Sequence, residues 1–275
     1  MDGGKARQAI IRKDVVNIKK DTEMIVHKFD GDIVIYALSD VHYGALEHNE
    51  AGWNAVCKEI LDQPNAYLVL GGDLINNATR TSVSNVFEET VRPREQKVKM
   101  SQMLEPLVDR TLCIVPGNHE MRSVKDADDE PTYDIACKLN IEDLYRPNAA
   151  FLSISLGDTH NTYHIAVTHG AGGGIFTGAT VNRNERLGNI IDGLDCLIVG
   201  HTHKGVISRP SKLVIDARNK VVVQREYLVV STVSWMEYGG YAMQKMLLPS
   251  THSKPQKLIL RKRKSHELKH IEVVW

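Results

Sequence analysis

Carboxylate, imidazole and a side-chain amide recur together in five short clusters of this chain. They are Asp40-Val41-His42, Gly71-Gly72-Asp73, Gly117-Asn118-His119-Glu120, Thr168-His169-Gly170 and Gly200-His201-Thr202-His203. Oxygen and imidazole donors without thiolate suit Mn²⁺, Fe or Zn²⁺ rather than the softer chemistry of copper. So much imidazole also argues against an all-oxygen Ca²⁺ site. One histidine taken alone is most simply a hydrogen-bonded structural residue. An ordered set of such clusters reverses that reading, because the chemistry of a metal centre needs several donors at once.

These donors must be held by something rigid. Each cluster ends a segment that begins as a short run rich in Val, Ile and Leu: 33–42, 66–73, 111–120, 163–170 and 194–203. Apolar runs of this length without clean alternation suit strands buried on both faces, as in parallel α/β layers. Ligands in such sheets gather beyond the carboxyl ends of the strands, which is where all five clusters fall. The intervening stretches carry helical spacing. After Asn49, residues Trp53, Val56, Cys57, Ile60 and Leu61 share a face. Between Gln96 and Asp109 so do Met100, Met103, Leu104, Leu107 and Val108, with Pro106 expected to kink or interrupt that helix. Beyond residue 150 the pattern turns strand-rich: 151–156, 162–168, 213–216, 221–230, and two more near 257–260 and 271–275. Turn signals at Leu156-Gly157-Asp158 and Ala217-Arg218-Asn219 predict a second, partly antiparallel sheet. The fold class expected is α/β, a two-sheet mixed β-sandwich flanked by helices, built as a single domain over residues 1–275. The acidic stretch 126–130 and the glycine-rich stretch 171–178 read as loops.

Composition bounds the function. Lys plus Arg and Asp plus Glu are both 34, so no net field steers the chain toward nucleic acid or membrane. A local basic stripe could still meet nucleic acid. The four cysteines form no CxxC pair, which argues against a zinc ribbon or a thioredoxin-like motif and reads them as small core residues. No apolar stretch is long enough for a signal peptide or a membrane span, so the expectation is a cytoplasmic protein with no membrane partner.

The five clusters, in this order and at these strand-to-loop junctions, resemble the motifs of the calcineurin-like metallophosphoesterase superfamily, over about residues 33 to 205. The resemblance implies the αββα architecture of that superfamily and two divalent metal ions, Mn²⁺ first with Fe or Zn²⁺ as alternatives. It implies that Asp40, His42 and His203 bind one ion and Asn118, His169 and His201 the other, with Asp73 bridging. Two cations about 4 Å apart clamp a phosphoryl group and turn a bridging water into hydroxide at neutral pH. His119 then fits as general acid, with Glu120 orienting it.

Protein phosphatases of the superfamily follow the second motif with an Asp-Arg pair that helps hold a phosphomonoester. Here the chain reads Asp73-Leu74-Ile75-Asn76-Asn77, with Arg80 three residues further on. The opening Asp40-Val41-His42-Tyr43-Gly44 resembles the SbcD-type nucleases and related phosphodiesterases. The leading expectation is therefore a phosphodiesterase or nuclease acting on DNA, RNA or a nucleotide. A phosphomonoesterase stands as the alternative, and a non-catalytic interaction scaffold as an alternative of another class. A homodimer is left open, as family members often pair. Arg122, Arg183 and Arg186 could hold a substrate phosphate, though solvated arginines are the plainer reading. Tyr43 could stack on a base or pack at the rim. The basic run Lys257, Arg261, Lys262, Arg263, Lys264 and Lys269 could meet a nucleic-acid backbone, with a lysine-protected edge strand the favoured reading. His27, His48, His160, His164, His252, His266 and His270 are left as ordinary surface or strand residues.

Overall fold

A computed structural model describes residues 22–80, 82, 86–157, 161–174, 176–249, 254–263 and 269–275. Two sheets lie face to face. The first has strands β1 (Ile25–Phe29), β5 (Ala149–Leu156), β6 (Thr162–Thr168), β7 (Cys196–Val199), β11 (Leu228–Ser231) and β8 (Val206–Ser208), in that spatial order. The second runs β13 (Ile271–Val274), β12 (Lys257–Leu260), β2 (Ile33–Leu38), β3 (Ala66–Leu70) and β4 (Thr111–Ile114). Strands β2, β3 and β4 are mutually parallel, as are β6, β7 and β11; β12 and β13 join antiparallel.

The absence of alternation in the cluster-bearing strands has a direct cause. Successive side chains of β2 point to opposite faces, and both faces are covered. Ile33, Ile35 and Ala37 pack between the sheets with Leu152, Ile154, Ile165, Ile198 and Val230. Val34, Tyr36 and Leu38 pack outward under helices α1 (Glu50–Asp62), α2 (Pro93–Leu104) and α4 (Pro131–Lys138), through Trp53, Ile60, Met100, Leu104 and Ile135. On the far side, Leu197, Val199 and Val229 of the first sheet meet Leu187 of helix α5 (Thr177–Ile190). The layers are thus helix, sheet, sheet, helix, as the sequence predicts. Asn49 caps α1, its Oδ1 accepting from the Gly52 N–H at 2.8 Å. Helix α2 ends at Leu104, and Glu105–Arg110 tightens into a 3₁₀ turn at Pro106.

Several expectations are corrected. The stretch read as one strand over 221–230 is two. Among the described residues β10 (Val221–Glu226) pairs only with β9 (Ser211–Asp216) in a separate hairpin, while β11 lies in the first sheet between β7 and β8. The break falls at Tyr227, which is buried, just after the polar Gln224-Arg225-Glu226. The hairpin leaves Leu213 and Ile215 76% and 78% exposed. The basic C-terminal run is not an edge strand: β12 is interior to its sheet, and β13 forms the edge. At least three of its six charges are paired, Lys257 with Glu59, Arg261 with Glu272 and Asp32, and Lys269 with Asp195; Lys264 lies outside the described residues. Cys113 and Cys196 are core residues, but Cys57 is half-buried and Cys137 is exposed. The acidic stretch begins inside helix α3 (Glu120–Ala127), and Gly178 lies within α5. Strand β1 carries no clear signal in the sequence. His160, His252 and His266 fall outside the described residues.

Candidate metal centre

All seven candidate ligands converge at one end of the sandwich. Asp40 and His42 follow β2, Asp73 follows β3, Asn118 follows β4, His169 follows β6, and His201 and His203 follow β7. Because β2, β3 and β4 run parallel in one sheet and β6 and β7 in the other, their carboxyl ends face a common crevice.

Around Asp40, His203 Nε2 lies 3.2 Å from Oδ1 and His42 Nε2 3.9 Å away, with the two imidazole nitrogens 3.0 Å apart. Around Asp73, His169 Nε2 lies 3.2 Å from Oδ2 and His42 Nε2 3.8 Å. Asn118 Oδ1 is 3.0 Å from His169 Nε2 and 2.6 Å from His201 Nδ1. Asp40, His42 and His203 form one group that could hold a metal ion, and Asp73, His169 and His201 another. His42, Asp73 and His119 form a third such grouping. Clustered acceptor atoms of this kind fit hard or borderline divalent cations, which resolve approaches that lone pairs alone would not favour.

The backbone is bent to make this possible. Asp40, His42, Asp73, His201 and His203 all sit at positive φ, between 50° and 75°. Such a conformation costs a non-glycine residue about 1–2 kcal/mol and persists only where the surroundings enforce it. They do so here through cross-links between loops. The Asp40 N–H donates to the Gly72 carbonyl and the His42 N–H to the Asp73 carbonyl, each at 2.9 Å. The Asp40 carbonyl accepts from the Trp235 N–H at 3.0 Å and the Ser234 hydroxyl at 3.2 Å. Asp40 itself takes the His201 N–H and the hydroxyl of Ser39. Gly117 is required: a Cβ there would stand 2.1 Å from Asp73 Oδ1 and 2.3 Å from its backbone N.

Charge follows geometry. Burial opposes ionisation of Asp40, but the neighbouring His203 and His169 outweigh it and hold that carboxyl at about 2. Asp73 is held well below the usual range, against its burial, by His119, His169 and His42. Burial lowers His42, His119 and His201, with neighbouring imidazoles adding to it. His169 moves the other way: despite burial, Asp73 and then Asp40 lift it to about 10. Its Nδ1 donates to the Gly71 carbonyl at 2.8 Å, which leaves Nε2 turned into the cluster. Asp40, His42, Asp73 and His169 are buried, whereas Asn118 is exposed and His119, His201 and His203 are part-exposed. The crevice therefore opens on that side.

Glu120 is placed differently from the expectation that it orients His119. Its carboxylate accepts the backbone N–H groups of Asp73 at 3.0 Å, Ile75 at 3.1 Å and Gly117 at 2.8 Å. It ties two ligand loops together. His119 is instead oriented by Asn76, whose carbonyl accepts from Nδ1 at 2.7 Å. Leu74 and Ile75 are fully buried, and Arg80 is exposed. Asn77 Nδ2 donates to the His119 carbonyl at 2.9 Å. Arg122 lies against His119, while Arg183 donates to the Gly172 carbonyl across the glycine-rich loop. Tyr43 packs edge-on to His48. Sequence reasoning missed Ser39, Thr232, Asn76 and Asn77. The first directly precedes a ligand and the last two follow one closely; Thr232 offers no signal at all.

The calcineurin-like phosphoesterase family model matches residues 33–205, the stretch that carries all seven candidate ligands. This chain belongs to the calcineurin-like phosphoesterase family. It is a metal-dependent phosphoesterase, a hydrolase of phosphate esters. No curated protein sequence matches it. Among solved structures it is similar to a conserved predicted phosphoesterase from Streptococcus pneumoniae, at 13% identity, TM-score 0.35 and 83% coverage of each chain. It is also similar to the anchor protein of the Plasmodium inner membrane complex, at 10% identity and TM-score 0.38, covering 84% of this chain and 82% of that one. A cold-active protein tyrosine phosphatase matches at 15% identity and TM-score 0.31, over 88% of this chain and 77% of its own. Among the described residues, no helix of this phosphoesterase is long and apolar enough to cross a membrane.

Proposed function

We propose that the chain is a dinuclear phosphodiesterase or nuclease acting on nucleic acid or nucleotides. Asp40, His42 and His203 hold one divalent cation, Asn118, His169 and His201 the other, and Asp73 is shared. Mn²⁺ is the metal we favour, because the donors are oxygen and imidazole without sulfur. When bound, the cations supply the charge that clamps a phosphoryl group and acidifies water to a nucleophile at neutral pH. His119 acts on the leaving oxygen. Its Nδ1 is fixed by Asn76, so Nε2 is the atom that holds or gives up the proton. The Arg122 guanidinium beside that Nε2, 3.0 Å away, makes it a poor place for a metal cation and supports a catalytic role over a ligating one.

The observation that carries the diester reading is the loop after Asp73. Where phosphatases of the family place an Asp-Arg pair, this chain has buried Leu74 and Ile75, then Asn76 and Asn77 committed to His119. Fewer fixed cations suit the single charge of a diester better than the double charge of a monoester. The strands beyond residue 205 supply β8 and β11 to one sheet and β12 and β13 to the other, which supports one domain over the whole chain.

The test is turnover by the purified protein with Mn²⁺ on bis(p-nitrophenyl) phosphate, p-nitrophenyl phosphate, and single- and double-stranded DNA and RNA. Diester and nucleic-acid cleavage is expected. Turnover of the monoester alone would make the protein a phosphomonoesterase, and no turnover without bound metal would make it a scaffold. His119→Ala should lower turnover by about a hundred- to ten-thousandfold with both metals retained.

A further inference from the structure

A half-buried guanidinium beside the metal cluster has no anion of its own. Arg122 stands in the first turns of helix α3, two residues after Glu120. Its Nη2 donates to His119 Nε2 at 3.0 Å, and its Nη1 lies 3.4 Å from the Asn76 carbonyl. Both contacts are to neutral groups. Among the described residues no carboxylate forms an ion pair with it. Asp73, Glu120 and Glu89 all act on it at longer range. None of the three stands within ion-pair distance of it, although Glu89 Oε2 is buried without a hydrogen-bond partner. Asp73 Oδ1 is taken by the His119 N–H, and Glu120 is fixed on three backbone amides. Glu89 Oε1 accepts from Asn76 Nδ2 and the Ala78 N–H.

A cation taken partly out of water ordinarily gains a paired charge, and a guanidinium presents a planar fork matched to a phosphate or carboxylate. The Arg122 fork lies on the open side of the crevice, where Asn118, His119, His201 and His203 meet solvent. His119 Nε2 is 3.8 Å from Asp73 Oδ2, so the guanidinium borders the place where a reacting phosphate must sit.

We propose that Arg122 binds the phosphate of the substrate, supplying from helix α3 the cation that this chain lacks after Asp73. In the free protein its arm rests on His119 Nε2. With a phosphate in the crevice, Nη2 passes to a non-bridging oxygen and Nε2 is released to take up a proton from solvent and give it to the leaving oxygen. One guanidinium matches the single charge of a diester. This deepens the phosphodiesterase reading and rests on it for the identity of the ester, but not for the binding of phosphate.

Calorimetric titration of inorganic phosphate and dimethyl phosphate into the Mn²⁺-loaded protein tests it, on wild type, Arg122→Ala and Arg122→Lys, with bound Mn²⁺ counted in each. Arg122→Ala should weaken both ligands by about ten- to a hundredfold, with Arg122→Lys in between because a point charge replaces the fork. Metal content should stay at the wild-type value. For whichever ester the protein turns over, the loss should fall mainly on KM. Unchanged phosphate affinity would overturn the proposal, as would a loss that merely tracks lost metal or a wild type that binds neither ligand. A role confined to bracing His119 would lower thermal stability and leave phosphate affinity intact. If wild type binds phosphate through Arg122 yet hydrolyses no ester, the functional reading fails and this one stands.

Discussion

Replacing Glu120 by Gln removes a charge and one acceptor from the point where two ligand loops are tied. The carboxylate serves three backbone donors, two through Oε2 and one through Oε1. A glutamine keeps one acceptor oxygen, so at least one N–H is lost and an amide –NH₂ is turned toward it. Hydrogen bonds to charged groups contribute about 1.5–3 kcal/mol each. Against this, burial and the nearby Asp73 lift Glu120 to about 7, so the charge itself is resisted in the metal-free protein. The two effects oppose, and a net loss of about 1–2 kcal/mol remains, lowering Tm by about 2–8 °C for a chain of this size. Metal binding should suffer more. The amide of Asp73 and the loop of Asn118 both hang on this carboxylate, and outer partners of this kind are worth about ten- to a hundredfold in metal affinity. Thermal unfolding and Mn²⁺ titration of Glu120→Gln beside wild type measure both. A variant with wild-type Tm and metal affinity but lost turnover would refute the reasoning, and would return Glu120 to a direct part in catalysis.

Gly117→Ala should be harsher, since its Cβ would meet both the carboxylate and the backbone of Asp73. Loss of bound metal measured by mass spectrometry, with Tm down by about 4 °C or more, is expected; wild-type metal content would contradict it. Asn49→Ala, which removes a side chain bonded only to the Gly52 N–H, should cost about 1 kcal/mol through the lost cap of α1 and leave KM unchanged, as urea unfolding and kinetics would show. His27 is half-buried and stacks on Phe29, its Nε2 on the Leu112 carbonyl, and this partial burial depresses its basicity. The unfolded chain therefore takes up this proton first, so His27 withdraws stability as pH falls below about 6.5. Urea midpoints at pH 7 and pH 5 should differ less in His27→Gln than in wild type, and an equal difference would count against the assignment.

The strands that carry the centre were legible because burial on both faces leaves an unbroken apolar run, as in Ile33–Leu38 and Cys196–Val199. The candidate ligands were legible because each sits closely beyond such a run, in the order the family resemblance implies. What escaped was set by partners distant in sequence. Nothing in the letters of Glu120 shows that the backbone amides of Asp73 and Ile75, in the loop after β3, need an acceptor, and Thr232 meets Ser39 across 193 positions. The division of 221–230 between a hairpin and a sheet is marked only by the polar Gln224-Arg225-Glu226 between two apolar ends that look alike. Val223 and Val230 are the same residue type, and only the layer above decides that one is exposed and the other buried. The strain at Asp40, His42, Asp73, His201 and His203 likewise has no local cause; the loops impose it.

The shared position of Asp73 is the centre of this account, and the electron paramagnetic resonance spectrum of the Mn²⁺-loaded protein tests it directly. A magnetically coupled Mn²⁺ pair, replaced by uncoupled signals in Asp73→Ala, is the predicted result. Spectra of isolated Mn²⁺ ions in a fully loaded wild-type protein would contradict it.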